Sequence, residues 1–240
     1  MNGKERVLAA MKLENTDRIP WVPFVGCHGG FLIGATASEH LQSEDLIVKG
    51  VEKAVELYHP DGMPIVFDLQ IEAEIMGCQL LWSDENPPSV SSHPLNEGLN
   101  LDDLQIPQKN EGRLPLILSA SNRIRNQFPD IALYGLITGP FTLALHLLGS
   151  DLFLRMVKDE TYVKELLEFC RTVCIAMSDY FIDTGCDVIA MVDPMTSQIS
   201  PKHFKQFITE PATQLFDHIR QRNVLGSFFV CGHAQQNISA

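Results

Sequence analysis

The sequence is short of positive charge and has no long apolar run. Its 240 residues include 18 Lys and Arg against 30 Asp and Glu, which gives a formal charge of -12. A surface of that sign repels phosphate backbones and anionic lipids, so the sequence predicts no nucleic acid or membrane partner. No apolar run reaches the length that crosses a bilayer, and no basic segment leads into an apolar signal core at the N-terminus. These absences predict a cytoplasmic protein.

Cysteine is too sparse for a disulfide scaffold. The six residues are scattered over a chain of medium length, and we expect most to be reduced thiols: Cys27, Cys78, Cys170, Cys174, Cys186 and Cys231. Cys170 and Cys174 lie one helical turn apart without a third ligand nearby in sequence, which indicates packing. The length suits one domain over residues 1–240.

Short apolar runs alternate with helical patterns. Five runs predict strands buried on both faces of a parallel sheet: Ile19–Val25, Met63–Phe67, Ile131–Ile137, Asp187–Val192 and Val224–Val230. Apolar residues at three- and four-residue spacing predict helices over Glu44–Tyr58, Glu111–Phe128, Thr161–Thr184 and His203–Arg220. Gly185 suits a helix C-terminus, and Ser200 with Pro201 suits a helix start. The polar stretch Gln79–Asn100 predicts a hairpin or excursion.

This alternation predicts an α/β fold, either a closed barrel or an open doubly wound sheet. No Gly-x-Gly-x-x-Gly or Gly-Lys-Ser/Thr loop follows any predicted strand, which disfavours an open nucleotide-binding sheet. A closed barrel needs eight strands. We therefore expect a (β/α)8 TIM barrel truncated after about five βα units, with the C-terminal units missing beyond Gln235–Ala240.

Several segments, in order along nearly the whole chain, resemble the uroporphyrinogen decarboxylase superfamily. They are Lys4–Leu8, Asp17–Pro20, Phe67–Leu69, Glu72–Glu74, Gly77–Cys78, Gly139–Ala144, Asp193–Pro194, Ser200–Pro201 with Phe204, and Val230–Gly232. The resemblance implies the TIM barrel fold. It agrees with the strand pattern, because Asp68, Gly139, Asp193 and Cys231 all fall at carboxyl ends of predicted strands, where barrel enzymes assemble their active sites.

The segment Val25–Phe31 favours one branch of that superfamily. In the decarboxylases the corresponding segment carries arginines that meet the carboxylates of a tetrapyrrole, whereas here it contains none. Buried carboxylates without compensating charge cost several kcal/mol each. The sequence therefore resembles the corrinoid methyltransferase branch, which implies methyl transfer between a methylcobalamin-type corrinoid on a partner protein and a small-molecule donor or acceptor such as a thiol. Homo-oligomerisation stays open.

Two other functions compete with methyl transfer. The first is uroporphyrinogen decarboxylation, which would need cations around the cavity from residues such as Arg18 or Arg113. The second is a catalytically inactive binding subunit, which the missing C-terminal units and Phe229 make plausible. In zinc-binding relatives the fifth strand ends in His-x-Cys-Gly, and here Phe229 stands in the position of the histidine while Cys231 and Gly232 are kept. Cys231 and His233 are candidate metal ligands, and zinc stays an open question.

The remaining candidate residues follow from the same resemblance. Asp68 and Asp193 are the candidate catalytic residues, with a helix cap and a turn residue as the respective alternatives. The other candidates are substrate-binding residues, namely Cys27, His28, Gly139, Phe141, Thr142, His146 and Phe229. Gly139, Phe141 and Thr142 open a predicted helix whose N–H groups favour negative charge on a ligand. For His146 and Cys27 the alternatives are a core histidine and a pocket-lining thiol.

Overall fold

The structure is a computed structural model that describes residues 1–237 and 239. Its helices are α1 Gly3–Met11, α2 His28–Phe31, α3 Ala37–Leu41, α4 Glu44–Tyr58, α5 Ile71–Ile75, α6 Leu114–Gln127, α7 Pro140–Leu148, α8 Asp151–Lys158, α9 Glu160–Asp183, α10 Pro201–Phe207 and α11 Thr209–Gln221. Its strands are β1 Gly62–Pro64, β2 Leu80–Leu81, β3 Ser89–Val90, β4 Ala132–Thr138, β5 Val188–Val192 and β6 Leu225–Phe229. Short 3-10 helices cover Leu101–Asp103, Pro194–Gln198 and Ala234–Asn237.

Four strands form one parallel sheet in the order β1-β4-β5-β6. Met63 pairs with Leu133, Gly135 with Ile189, and Met191 with Phe228. Helices connect the strands, which is the arrangement that parallel pairing requires. The α/β class with a parallel sheet is confirmed, and within the described residues this sheet has four strands and does not close.

The two faces of the sheet pack against different layers. Alternate residues such as Leu133 and Ile189 join the large core beneath the helices. Tyr134 and Ala190 point to the opposite face and form a second cluster with Val22 and the helix α1. In a barrel this second face is the interior, because residues alternate between inside and outside along each strand.

The predicted strand Ile19–Val25 is wrong. The segment has no regular secondary structure, although its Trp21 carbonyl accepts a hydrogen bond from the Asp61 N–H at 2.9 Å. Pro20 and Pro23 explain the difference, since neither residue has an N–H with which to continue a ladder. The segment still lies over the inner face of the sheet, where Val22 and Phe24 pack.

The helix predicted over His203–Arg220 is also wrong as a single element. It is two helices, α10 and α11, that meet at Ile208. Pro211 accounts for the break, because it cannot donate to the carbonyl one turn earlier. The Ser200 hydroxyl accepts from the His203 N–H, and Gly185 ends α9 with φ +87°, so both predicted helix termini are confirmed.

The segment Gln79–Asn100 contains the antiparallel hairpin β2–β3, as predicted. No single helix in the described chain is long and apolar enough to cross a membrane. Only α7 and α8 together satisfy length and composition, and they meet at an angle of 106°.

Candidate active site at the carboxyl edge of the sheet

The parallel pairing brings the predicted strand-end residues to one edge of the sheet. Asp68 follows β1, Gly139 follows β4, Asp193 follows β5 and Cys231 follows β6. Since β1 and β6 are the outer strands of this sheet, Asp68 and Cys231 flank the edge from its two sides. The catalytic role of Asp68 and the metal-binding role of Cys231 stay predictions.

Asp68 is held by a buried ion pair. Its side chain is inaccessible, and its Oδ2 lies 2.5 Å from Nη1 of Arg113. Its Oδ1 accepts the N–H of Gln70 at 2.9 Å, which forms an Asx turn at the start of α5. Nε of Arg113 also donates to Glu74 at 2.7 Å, and its guanidinium lies over the Trp82 ring. Both oxygens of Asp68 are thus used by the protein itself.

Asp193 is held by neutral donors instead. It is fully buried and accepts hydrogen bonds from the N–H groups of Phe141 and Thr142 and from the Thr142 hydroxyl, at 3.1, 2.8 and 2.6 Å. Burial raises the pKa of Asp193 to about 6, although these hydrogen bonds oppose the shift. The helix N-terminus that the sequence offered to a ligand is therefore occupied by this carboxylate.

Gly139 makes that arrangement sterically possible. A Cβ at this position would lie 2.4 Å from Cβ of Asp193, so no side chain fits. Phe141 is fully buried and packs edge-on against Phe153 at 6.0 Å between ring centroids. Gly139, Phe141 and Thr142 thus hold the Asp193 carboxylate in place. Their contact with substrate stays a prediction.

Glu72 is a buried carboxylate whose environment the sequence did not reveal. It accepts from the Thr138 N–H at 3.0 Å and from the Thr138 hydroxyl at 2.8 Å, at the last residue of β4. Burial raises the pKa of Glu72, against these hydrogen bonds. Glu74, two residues further along α5, is partly exposed.

Cys27 and His28 begin the short helix α2. Cys27 is buried, and burial raises its pKa to about 11, with the charge of Asp68 adding to the shift. A thiol in that condition is a poor nucleophile. His28 is exposed, and its Nε2 lies 2.7 Å from the Tyr58 hydroxyl. The two side chains therefore lie in different environments.

The glycines that follow these residues have a packing role. A Cβ at Gly30 would lie 2.7 Å from Cβ of His40, and one at Gly50 would lie 2.8 Å from its Cε1. The buried His40 ring thus fills the space that both glycines leave, where α2 crosses α4.

Aromatic rings fill the inner face near its carboxyl edge. Phe229 stacks on Phe24 at 5.0 Å and meets Phe67 edge-on at 5.9 Å between centroids. Phe24 also contacts Tyr134 at 5.9 Å. The predicted substrate-binding residue Phe229 therefore belongs to an aromatic cluster defined by Phe24, Phe67, Tyr134 and Phe229.

The candidate metal ligands do not form a complete site. Cys231 and His233 are exposed in the turn after β6. Within residues 1–237 and 239, no group of three His, Cys, Asp or Glu side chains is placed to hold a metal ion. A protein zinc site needs at least three such ligands, so the described residues do not fit zinc.

His146 lies on α7 beside a cleft of about 400 Å³, on the outer side of the carboxyl edge. Burial lowers the pKa of His146 to about 4, and the nearby His93 adds to the shift. His93 donates from Nδ1 to the His146 carbonyl at 2.8 Å. Because a carbonyl only accepts, this hydrogen bond fixes the proton of neutral His93 on Nδ1. Neither His93 nor Gln70, which also lines the cleft, was identified from the sequence.

Comparisons with known proteins agree with this architecture. The sequence profile described as uroporphyrinogen decarboxylase (URO-D) matches residues 2–240. Methylcobamide:CoM methyltransferase MtbA of Methanosarcina acetivorans is 26% identical over 244 residues, covering 98% of this chain and 72% of the relative. MtaA of Methanosarcina barkeri is 28% identical over 250 residues, covering 98% and 71%. A uroporphyrinogen decarboxylase of Wolbachia is 26% identical over 183 residues, covering 74% and 53%.

A solved structure shows the same fold. The structure described as a methyltransferase from Methanosarcina mazei superposes with a TM-score of 0.88 at 26% identity, covering 97% of this chain and 70% of that one. This chain belongs to the uroporphyrinogen decarboxylase family. The resemblance inferred from the sequence segments is confirmed, and the relatives that match nearly the whole chain are methyltransferases.

Proposed function

We propose that this protein is a methyltransferase that moves a methyl group between a corrinoid carried by a partner protein and a small thiol. The match of 98% of this chain to methylcobamide:CoM methyltransferases supports the proposal. The structural observation that carries it is the state of Arg113, whose guanidinium is buried and already bonded to Asp68 and Glu74. The two carboxylates already compensate the charge of this arginine, which disfavours a second role as the cation for a polycarboxylated ligand.

The residues at the carboxyl edge of the sheet suit uroporphyrinogen decarboxylation less well than methyl transfer. Arg18, the other cation considered from the sequence, donates to Asp61 at 2.6 Å, at the amino end of β1 and away from the carboxyl edge. The Asp68 side chain is inaccessible and lies between Arg113 and the Gln70 N–H, so pyrrole N–H groups do not reach it without a rearrangement. An aromatic cluster such as that of Phe24, Phe67, Tyr134 and Phe229 suits an apolar reactant better than an array of carboxylates.

The reaction needs a deprotonated sulfur and a dry path to the methyl carbon. The sulfur–carbon bond forms as the carbon–cobalt bond breaks, cobalt keeps the bonding electron pair, and the thiol proton must pass to a base. Asp193 is too enclosed to take it, since it is fully buried and already accepts three hydrogen bonds from the first turn of α7. His233 and Cys231 are exposed at the same edge, so we assign contact with the thiol to this pair and acceptance of its proton to the His233 imidazole.

The described residues supply only these two ligands toward zinc, so no step here depends on the metal. Coenzyme M is the thiol in the names of the relatives, and it is the first acceptor to test. The partner would be a corrinoid protein, as those names suggest for the relatives.

The test is demethylation of methylcobalamin by the purified protein with 2-mercaptoethanesulfonate, followed by visible absorbance and by detection of the methyl thioether. We expect methyl loss well above the rate without protein. His233→Ala and Cys231→Ser should reduce that rate while leaving thermal unfolding unchanged, because both side chains are exposed. Loss of CO2 from uroporphyrinogen without any methyl transfer would overturn the proposal.

A further inference from the structure

The turn formed by residues 230–233 carries Cys231 and His233, the two exposed side chains that we assign to the thiol. An exposed side chain samples several rotamers, whereas a reacting group is effective only when it is held close to its productive geometry. The contacts that fix the backbone of this turn therefore matter for the proposed reaction.

Gly232 places the turn against the segment that follows β5. Its φ of +66° lies in the left-handed region that favours glycine, and a Cβ there would come within 3.1 Å of the Ser197 hydroxyl oxygen. That hydroxyl donates to the Pro194 carbonyl at 2.8 Å, within the 3-10 helix Pro194–Gln198. The turn after β6 and the 3-10 helix after β5 are thus in direct contact.

Asn237 holds the chain on the other side of the turn. It is 4% exposed, and its Nδ2 donates to the carbonyls of Thr196 at 2.9 Å and of Ile199 at 3.2 Å. Thr196 and Ile199 are buried as well, so both hydrogen bonds are shielded from water. Because a carbonyl only accepts, these two contacts also fix the orientation of the Asn237 amide. One side chain thus ties the 3-10 helix Ala234–Asn237 to the segment after β5.

The segment that Asn237 contacts is itself fixed to the candidate active site. The Thr196 hydroxyl donates to the Asp193 carbonyl at 2.7 Å. The Asp193 N–H donates to the carbonyl of Phe229, the last residue of β6, at 3.0 Å. A series of hydrogen bonds therefore joins the carboxyl end of β6, through Asp193 and Thr196, to Asn237, so the turn is held at both of its ends.

We propose that Asn237 is a positioning residue for methyl transfer, which holds the turn so that Cys231 and His233 meet the thiol. The inference rests on the proposed function and adds to it a residue that touches neither reactant. A substitution that removes the amide leaves two buried carbonyls without their donor, and buried polar groups without a partner are destabilising. The turn then loses its hold on the segment after β5, while the sheet and the aromatic cluster keep their contacts.

A nitroxide label on Cys231 measures the mobility of the turn independently of activity. Cys231 is exposed and the other five cysteines are buried, so a thiol-specific label attaches to Cys231. Asn237→Ala should narrow the lines of the electron paramagnetic resonance spectrum, because the label becomes more mobile. Asn237→Asp keeps the shape of the side chain, but its carboxylate cannot donate to either carbonyl, so the same change is expected.

Asn122→Ala is the matched control for the label experiment. It removes a hydrogen bond of the same kind, from the Asn122 amide to the Leu118 carbonyl on α6, and should leave the spectrum unchanged. Unchanged spectra in both Asn237 variants would overturn the inference, whatever their activity.

Demethylation kinetics of the unlabelled protein test the role in the reaction. Asn237→Ala should lower kcat/KM for 2-mercaptoethanesulfonate about tenfold and leave the KM for methylcobalamin unchanged, since misplacement of a reacting group by even a fraction of an ångström is costly. In a His233→Ala background the same substitution should have a much smaller effect, because less remains to be positioned.

Two outcomes of the kinetics would contradict the inference in different ways. A loss that is fully additive with that of His233→Ala, or an equal rise in the KM of both reactants, would overturn the positioning role in a protein that does transfer methyl groups. Absence of demethylation by the wild type would overturn the proposed function and the positioning role with it.

Discussion

Asp68 and Asp193 are the same chemical group at the same edge of one sheet, yet they are stabilised in opposite ways. Asp68 lies against the guanidinium of Arg113, so its charge is compensated by a cation. Asp193 has only the hydroxyl and N–H donors at the start of α7, and burial raises its pKa to about 6. Asp68 is therefore fixed by a cation, whereas Asp193 is fixed by neutral hydrogen-bond donors alone.

The comparison also indicates what each residue contributes to the site. Asp68 orders the segment between β1 and α5, including Gln70, and its carboxylate compensates the charge of Arg113. Asp193 joins the end of β5 to the start of α7. Both aspartates therefore fix neighbouring segments of the chain in position, and their catalytic roles stay predictions.

The largest loss of stability is expected when Arg113, the cation beside Asp68, is removed. Arg113→Met leaves the inaccessible Asp68 carboxylate without its charged partner, and breaking a buried ion pair on one side costs about 3–5 kcal/mol. Urea denaturation measures the loss. The double variant Arg113→Met with Asp68→Asn should recover part of it, because no unpaired charge then remains. A single-variant loss below about 1 kcal/mol would show that Asp68 does not depend on this arginine.

A smaller loss of stability is expected from a substitution of Asp193, whose carboxylate has no cation beside it. Asp193→Asn turns one acceptor oxygen into an N–H donor that faces the Phe141 or Thr142 donors, which costs about 1–3 kcal/mol. The same denaturation experiment applies. Thr142→Val removes only the hydroxyl donor and keeps both backbone N–H groups, so it should cost less than Asp193→Asn. Equal losses in the two variants would contradict the assignment of the backbone bonds.

The sequence predicted the placement of both aspartates but not this difference between them. Alternation of apolar runs and helical patterns located four of the five predicted strands, and a parallel sheet brings their carboxyl ends to one edge. The pairing of Asp68 with Arg113 joins residues 45 positions apart, and no local pattern encodes it. The burial of Glu72 under Thr138 is a tertiary contact of the same kind.

The same limit explains the errors in the fold. Val22 and Phe24 made Ile19–Val25 look like a strand, and they do pack on the inner face, but Pro20 and Pro23 prevent a continuous ladder. The cleft that holds Gln70 and His146 was missed because its walls come from α5, the hairpin and α7, which are distant in sequence. Periodicity finds elements, whereas sites between elements need the packed structure.

The pH dependence of stability gives a further test of the buried Asp193 carboxyl. The native Asp193 carboxyl has a pKa of about 6, above its ordinary value of 3.8, so between these values the native state binds more protons than the unfolded state. Through this group the protein gains stability as the pH falls from about 6 to 4. The difference in unfolding free energy between wild type and Asp193→Asn should therefore grow over that range. A difference that stays constant from pH 4 to 8 would show that Asp193 titrates normally.

The effect of His146 on the pH dependence of stability is expected to be the smallest, and its sign is opposite to that of Asp193. Burial lowers its pKa from 6.5 to about 4, so between these values the unfolded state binds the extra proton and stability falls as the pH falls. His146→Leu removes this loss, and its unfolding free energy at pH 5 relative to pH 7 should exceed that of the wild type. Asp193 and His146 thus oppose each other over nearly the same range of pH. Relative to the wild type, the Asp193→Asn variant should therefore lose stability and the His146→Leu variant should gain it as the pH falls from 6 to 4. Differences of the same sign in the two variants would contradict the burial of one of the two groups.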